Sequence, residues 1–228
     1  MLIFPAGLIV PPGIKNIIMN KLKIKVCGMR DPENISGVAV AKPDFLGFIF
    51  YPKSSRFIGF EPSPEILAVI PDSIKKVGVF VDETPEKVLE ICQNWKLDVA
   101  QLHGHESPEY CKQIHDSGIM VFKVSPIDES FDFGSLEAFC GNCDYFLFDT
   151  KGRLSGGTGQ KFNWQLLEKY KLDVPFFLSG GIGSDDLQQI VAFNHPQLAG
   201  IDVNSGFEIS PAFKNVEKIR KFINEVRR

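Results

Sequence analysis

Lys23-Ile24-Lys25-Val26-Cys27-Gly28 alternates polar and apolar residues and stops at a glycine. Alternation is the period of a β-strand, so Lys23, Lys25 and Cys27 share one face and Ile24 and Val26 the other. Two lysines and a thiol make a poor outer surface for a strand that must pack against helices. The apolar face therefore packs outward, and the polar face looks into an interior that needs charge. A lysine two residues from a cysteine on the same face favours the thiolate, which is how a base or nucleophile is made. Taken alone, an isolated cysteine is more often a small buried hydrophobe. The rest of the chain reverses those odds.

After Gly28 the same unit recurs. Asp31-Pro32-Glu33 has an N-cap, a first-turn proline and a first-turn acid, and opens a helix to about Ala41. Strands follow at 44–50, 76–81, 98–102, 119–124, 145–148, 175–178 and 199–203. Helices alternate with them near 63–70, 84–94, from Ser107, at 135–139 and 163–169, from a Ser184-Asp185-Asp186 cap, and at 214–226. The strands are nearly continuous apolar runs, the mark of parallel strands covered by helices. Eight strand–helix pairs in roughly 200 residues make a minimal (β/α)8 barrel, an α/β single domain. An open doubly wound sheet would carry a GxGxxG after its first strand, and Gly28 stands there alone.

Composition narrows the class. The 228 residues are 44% hydrophobic, ample for one core, and the net charge of −3 leaves no footprint for nucleic acid or an anionic membrane. Five cysteines, an odd number at uneven spacing, form no disulfide framework and indicate a reducing, cytoplasmic setting. Cys140-Gly141-Asn142-Cys143 has CxxC spacing but lacks the second pair a zinc site needs, so no metal is expected. Residues 1–20 read as an extension outside the barrel, which occupies 21–228. Their apolar start lacks a basic flank and runs into Pro11-Pro12-Gly13, too short for a membrane span.

In such a barrel the chemistry sits at the C-terminal strand ends. Those positions are Cys27, the loop bearing Arg56, Asp82, His103, Asp149, Ser179-Gly180-Gly181 and Asp202 with Ser205-Gly206. Gly180-Gly181 and Ser205-Gly206 follow strands seven and eight, where glycines let backbone N–H groups approach a phosphate. One such pair alone is ordinary turn chemistry. Asp149 ends an apolar strand, and partial desolvation would raise its pKa toward that of a general acid; the plainer alternative is a loop-capping Asp paired with Lys151. A glycine-rich loop, Ser155-Gly156-Gly157-Thr158-Gly159, follows and could close over it. Arg56 has the planar fork that binds a carboxylate, or is a solvated loop charge. His103 reads as a hydrogen-bonded rim histidine rather than a catalytic one. Asp202, beside strand one, could pair with Lys25 or orient the thiol or substrate, and Asp82 reads as solvated.

The motifs together resemble phosphoribosylanthranilate isomerase of tryptophan biosynthesis. They are Lys25-Val26-Cys27-Gly28, the run from Gly47 to Arg56, Val77 to Val81, Gln101-Leu102-His103-Gly104 and Phe148-Asp149-Thr150. Gly156 to Gly159 with Phe162-Asn163-Trp164, Leu178-Ser179-Gly180-Gly181 and Asp202 to Glu208 complete the set. Asn163 and Asn204 depart mildly from the family pattern, away from the proton-transfer positions. The resemblance implies an Amadori rearrangement with no cofactor, Asp149 as general acid and Cys27 as general base. It places Arg56 on the anthranilate carboxylate and Gly180, Gly181, Ser205 and Gly206 on the phosphate. His103 and Asp202 join the substrate-binding set, Asp202 near the amine or the base. The implied partner is a small phosphosugar, with the protein a monomer or homodimer. An indole-glycerol-phosphate synthase should show a lysine acid and a glutamate at strand ends, and an epimerase two aspartates with metal-binding histidines; Cys27 with Asp149 fits neither. A non-catalytic phosphosugar binder needs neither acid nor base.

Overall fold

The computed structural model describes residues 22–150 and 162–227. The proposed extension at 1–20 and the glycine-rich loop at 155–159 lie outside the described residues. Eight parallel strands close in sequence order: β1 Lys23–Val26, β2 Phe45–Ile49, β3 Lys75–Phe80, β4 Val99–Leu102, β5 Met120–Ile127, β6 Tyr145–Thr150, β7 Phe176–Leu178 and β8 Leu198–Val203. The helices outside are α1 Pro32–Val40, α2 Pro64–Ala68, α3 Pro85–Trp95, α4 Pro108–Asp116, α5 Leu187–Ala192 and α6 Val216–Val226.

The first four helices start in the same way. Asp31, Ser63, Thr84 and Ser107 each accept a hydrogen bond from a backbone N–H three residues on, and each is followed by proline. Proline at the first position gives up a donor that has no intrahelical partner and presets φ for the turn. Elsewhere the expectation needs correction. The segments after β5 and β6 are 3-10 helices, Phe133–Phe139 and Trp164–Lys169. Of Ser184-Asp185-Asp186 only Asp186 stands at the N-cap position of α5; the three form a short 3-10 turn, and the Asp186 carboxylate accepts from the Gly183 N–H at 2.7 Å. Lys214 lies not in the last helix but in β10, Phe213–Lys214, which pairs antiparallel with β9, Glu208–Ser210. Asn215 then caps α6.

Period two divides the core as the first strand implies. Ile24 and Val26 join Leu46, Phe48, Phe146, Phe148, Ile201 and Val203 in the layer between strands and helices. The lower barrel interior is filled by Phe45, Val77, Val99, Phe122, Val124, Leu147 and Phe177, with several rings edge-to-face. Lys23 is satisfied there by the Tyr145 hydroxyl at 2.6 Å. Above this apolar plug the inward positions turn polar, and the cavity begins. No helix among the described residues is long and apolar enough to cross a membrane.

Candidate active site

The register of β1 against β8 sets Lys25 opposite Asp202. Their side chains meet inside the barrel, Nζ to Oδ1 at 2.9 Å, with Lys25 fully buried. Burial works against the ammonium, yet Asp202 and Cys27 more than offset it and leave its pKa raised. Burial likewise pushes Asp202 up against the pull of Lys25, so each charge depends on the other. Cys27 follows directly on the end of β1 and is 4% exposed. Burial raises its thiol pKa, Lys25 and Lys214 pull it down, Asp202 opposes them, and burial wins. The expectation of a thiolate favoured by Lys25 is therefore corrected: the lysine lowers the pKa, but its charge is shared with Asp202 and the burial of the thiol outweighs it. Gly47 on β2 makes room for this pair, since a Cβ there would stand 2.9 Å from Cys27 Sγ and 3.3 Å from Lys25 Nζ.

Asp149 is the inward residue at the end of β6, with its side chain 27% exposed to the mouth. Burial raises its pKa to about 6, against a hydrogen bond from the Thr150 N–H at 2.7 Å and the field of Lys25. The ordinary value for a carboxyl is near 4, so this one sits within reach of neutral pH. His103, directly after β4, places Nε2 3.8 Å from Asp149 Oδ2. Burial and then the charges of Lys25 and Lys123 depress the imidazole to about 4, so it faces Asp149 neutral. Gln101 Nε2 lies 3.5 Å from its other ring nitrogen. The loop behind His103 is tied by Glu106, which accepts from Gly104 N–H at 2.9 Å and from buried Lys123 at 2.7 Å. Asp82, half exposed, accepts from His105, which keeps its carboxyl below the usual range.

The rim next to Asp149, after β7 and β8, is glycine-rich. Gly180 has φ +88°, and a Cβ on it would fall 2.4 Å from Thr150 Oγ1 and 2.8 Å from Asp149 Oδ1. A side chain at Gly180 would therefore displace the carboxyl it packs against. Gly181, Ser205 and Gly206 line the same cavity, together with Cys27, Arg56, His103, Asp149 and Asp202. Its volume, counting the open mouth and the solvent in it, is about 820 Å³. The structure thus brings the expected acid, base and substrate-binding residues to one cleft, while Asp82 is not among the residues that line it. What sequence reasoning missed is what holds Arg56: Glu208 takes its Nε and Nη2 at 2.8 and 2.7 Å, 152 residues away in the chain. Buried Lys214 joins them by donating to Glu208 at 2.7 Å and to Asn204 at 2.6 Å. Glu208 stands six residues after Asp202 in the motif, but the sequence gives no sign of which cation it meets.

A family model described as N-(5′-phosphoribosyl)anthranilate (PRA) isomerase matches residues 24–225. The N-(5′-phosphoribosyl)anthranilate isomerase of Parabacteroides distasonis is 45% identical over 204 residues, spanning 89% of this chain and 92% of the relative. Among solved structures, a PRA isomerase in complex with reduced 1-(o-carboxyphenylamino)-1-deoxyribulose 5-phosphate superposes with a TM-score of 0.72 at 29% identity, covering 90% of this chain and 98% of that one. Monomers generated from the dimeric enzyme of Thermotoga maritima superpose at 0.73 and 28%, with the same coverage. The matched span takes in seven barrel strands whole and β1 from Ile24 onward, with every strand-end residue of the cleft. The chain belongs to the N-(5′-phosphoribosyl)anthranilate isomerase family and is an isomerase of tryptophan biosynthesis, converting N-(5-phosphoribosyl)anthranilate into 1-(2-carboxyphenylamino)-1-deoxyribulose 5-phosphate.

Proposed function

We propose that in this chain Asp149 is the general acid and Cys27 the general base of that rearrangement. The observation that carries the reading is a carboxyl at the end of β6 whose pKa is raised to about 6 beside a neutral histidine. Asp149 delivers its proton to the furanose ring oxygen, the bond from that oxygen to C1′ breaks, and an iminium remains. Cys27 then takes the proton from C2′, giving an enolamine that tautomerises to the ketone. One proton is given and one taken, so the step needs no redox partner. The buried thiol is a weak base in the free site, but the iminium places a positive charge beside C2′ and near Cys27, which favours the thiolate as it is required.

The remaining groups hold the substrate. Arg56 takes the anthranilate carboxylate, and the backbone around Gly180, Gly181, Ser205 and Gly206 takes the phosphate. Asp202 lies close to the base through Lys25, and His103 orients the substrate at the rim beside Asp149. All these residues belong to one chain, so the reading is the same for a monomer or a homodimer. We read the enzyme as cytoplasmic, with no cofactor.

The test replaces each proton-transfer group by a near isostere. Asp149→Asn keeps the size of the side chain but has no proton to give, and Cys27→Ser exchanges the thiol for a far weaker acid. Both should lose turnover by about 10²–10⁴-fold while binding the reduced product analogue within a few fold of the parent. Full turnover in either variant, or equal loss of binding and turnover, removes the role.

A further inference from the structure

Arg56 does not enter the cleft as an open fork. Its Nε donates to Glu208 Oε1 and its Nη2 to Glu208 Oε2, so one edge of the guanidinium is closed by a carboxylate of this chain. A guanidinium carries five N–H donors, and the closed edge uses two. The other edge, made by Nη1 and the outer hydrogen of Nη2, has the same spacing and suits a second carboxylate.

We propose that Glu208 is a positioning residue, holding the Nε/Nη2 edge of Arg56 so that the Nη1/Nη2 edge meets the substrate's carboxylate, with Lys214 fixing Glu208. The proposal rests on the reading of Arg56 as the carboxylate-binding group. Glu208 is anchored at three points besides its own backbone: Arg56, the Lys214 ammonium at 2.7 Å and the Ala212 N–H at 3.0 Å. Burial pushes its carboxyl up, but the bonds from Arg56 and Lys214 outweigh this and hold it below its ordinary range, ionised. Lys214 is locked in turn, because Asn34 accepts from its backbone N–H at 2.8 Å and donates to its carbonyl at 2.9 Å.

The charges make the same point. Arg56 and Lys214 are two cations and Glu208 one anion, which leaves one positive charge to match one substrate carboxylate. Without Glu208, two buried cations would face each other unpaired, and the guanidinium would turn away from Lys214. A positioning role of this kind acts on carboxylate recognition, leaving the proton transfers at Cys27 and Asp149 alone.

The experiment compares two ligands, reduced 1-(o-carboxyphenylamino)-1-deoxyribulose 5-phosphate and its counterpart lacking the carboxyl group, by calorimetry. The parent should prefer the carboxylated ligand by roughly 10- to 100-fold, the worth of a charge-assisted hydrogen-bonded contact. Glu208→Gln should cut that preference about tenfold, leave the other ligand within about twofold, and raise KM with kcat within about threefold. In an Arg56→Lys background, Glu208→Gln should change the preference no further. Equal weakening of both ligands by Glu208→Gln, or effects that multiply in the double variant, overturn the positioning role. Should Arg56→Lys remove the preference while Glu208→Gln keeps it, the positioning role alone falls. Should Arg56→Lys leave the preference intact, the carboxylate reading of Arg56 falls and takes this proposal with it. If Glu208→Gln does not fold, Glu208→Asp keeps the buried charge but withdraws its oxygens by one methylene. A carboxyl preference equal to the parent's in that variant is likewise an overturning result.

Discussion

Cys27 and Asp149 carry protonation preferences in the free site that run opposite to their roles. The base holds its proton, with a pKa raised from the ordinary 9.0, and the acid gives its proton up near pH 6. The competent form, with Asp149 protonated and Cys27 ionised, is then a minor species whose share stays constant between the two pKa values. Below about pH 6 that share rises with pH as the thiol ionises, and above the thiol pKa it falls as Asp149 loses its last protons. We therefore expect a broad kcat/KM plateau whose acid limb, near pH 6, belongs to the acid Asp149, and whose alkaline limb, above about 9, belongs to the base Cys27. Asp149→Asn should abolish the limb near 6. The rate at which iodoacetamide alkylates Cys27, taken as the difference from Cys27→Ser, should climb about tenfold per pH unit through pH 8. A rate already flat at pH 7 would mean that Lys25 does hold a thiolate, as the sequence alone implied. Lys25, Cys27 and Asp149 were legible because strand period and barrel rule fix where a side chain points. The sign of the Cys27 shift was not, because it depends on burial and on Asp202, which lies 177 residues from Lys25 and beside it in space.

Elements were legible where the chain states its own boundaries. Ser, Thr or Asp followed by Pro and Glu marks the first four helix starts, and each cap is made as those residues require. The β9–β10 hairpin was not, because a three-residue and a two-residue strand carry no period to read. With it went Lys214 and its place in the site. A second device lies at the bottom of the barrel, away from the chemistry. Asp44, Asp98 and Asp144 each precede an even-numbered strand and accept the N–H of Ile24, Lys76 or Val121 near the start of the strand before, at 2.7, 2.7 and 2.8 Å. In each case the Asp backbone N–H donates to the carbonyl of that same neighbour. The aspartates thus set the register of strand pairs one–two, three–four and five–six from below. Conservation of geometry at this face is about stability, since the active side is the other one. Asp98 is 35% exposed and also stands 3.6 Å from the Lys76 ammonium. Asp98→Ala should cost about 1 kcal/mol, lowering Tm by about 2–4 °C, with kcat and KM unchanged at 25 °C. A variant with parental Tm would show that the strand ladder alone holds this register, and one with altered kcat would show that the two ends of the barrel are coupled.

The whole molecule registers the site in its stability. In the unfolded chain a carboxyl near pKa 3.8 and an imidazole near 6.5 leave one proton between them from about pH 4 to 6, on the histidine. In the folded protein the order is inverted, with Asp149 near 6 and His103 near 4, so the same single proton sits on the aspartate. Folding moves that proton across the cleft without changing how many are bound, and this pair adds almost no slope to stability in that range. Taken singly, the two signs oppose. A raised Asp149 pKa means stability present below about pH 4 and lost as pH rises to about 6; a depressed His103 pKa means stability lost as pH falls from about 6.5 to about 4. Asp149→Asn removes the first and leaves the second. The variant should thus be close to the parent's stability at pH 4 relative to its own baseline, and gain on it steadily up to about pH 6. A shift of this size corresponds to about 3 kcal/mol. About a quarter of the Asp149 side chain is open to the cleft, so solvent screening reduces the expected gain to about 1–2 kcal/mol at pH 7, or about 2–8 °C in Tm. Urea unfolding of parent and variant at pH 4 and pH 7 measures it as a difference in which all other titrating groups cancel. The same stability difference at both pH values would mean that Asp149 ionises in the folded protein as it does in water, and a carboxyl of that kind holds no proton for a sugar ring at neutral pH.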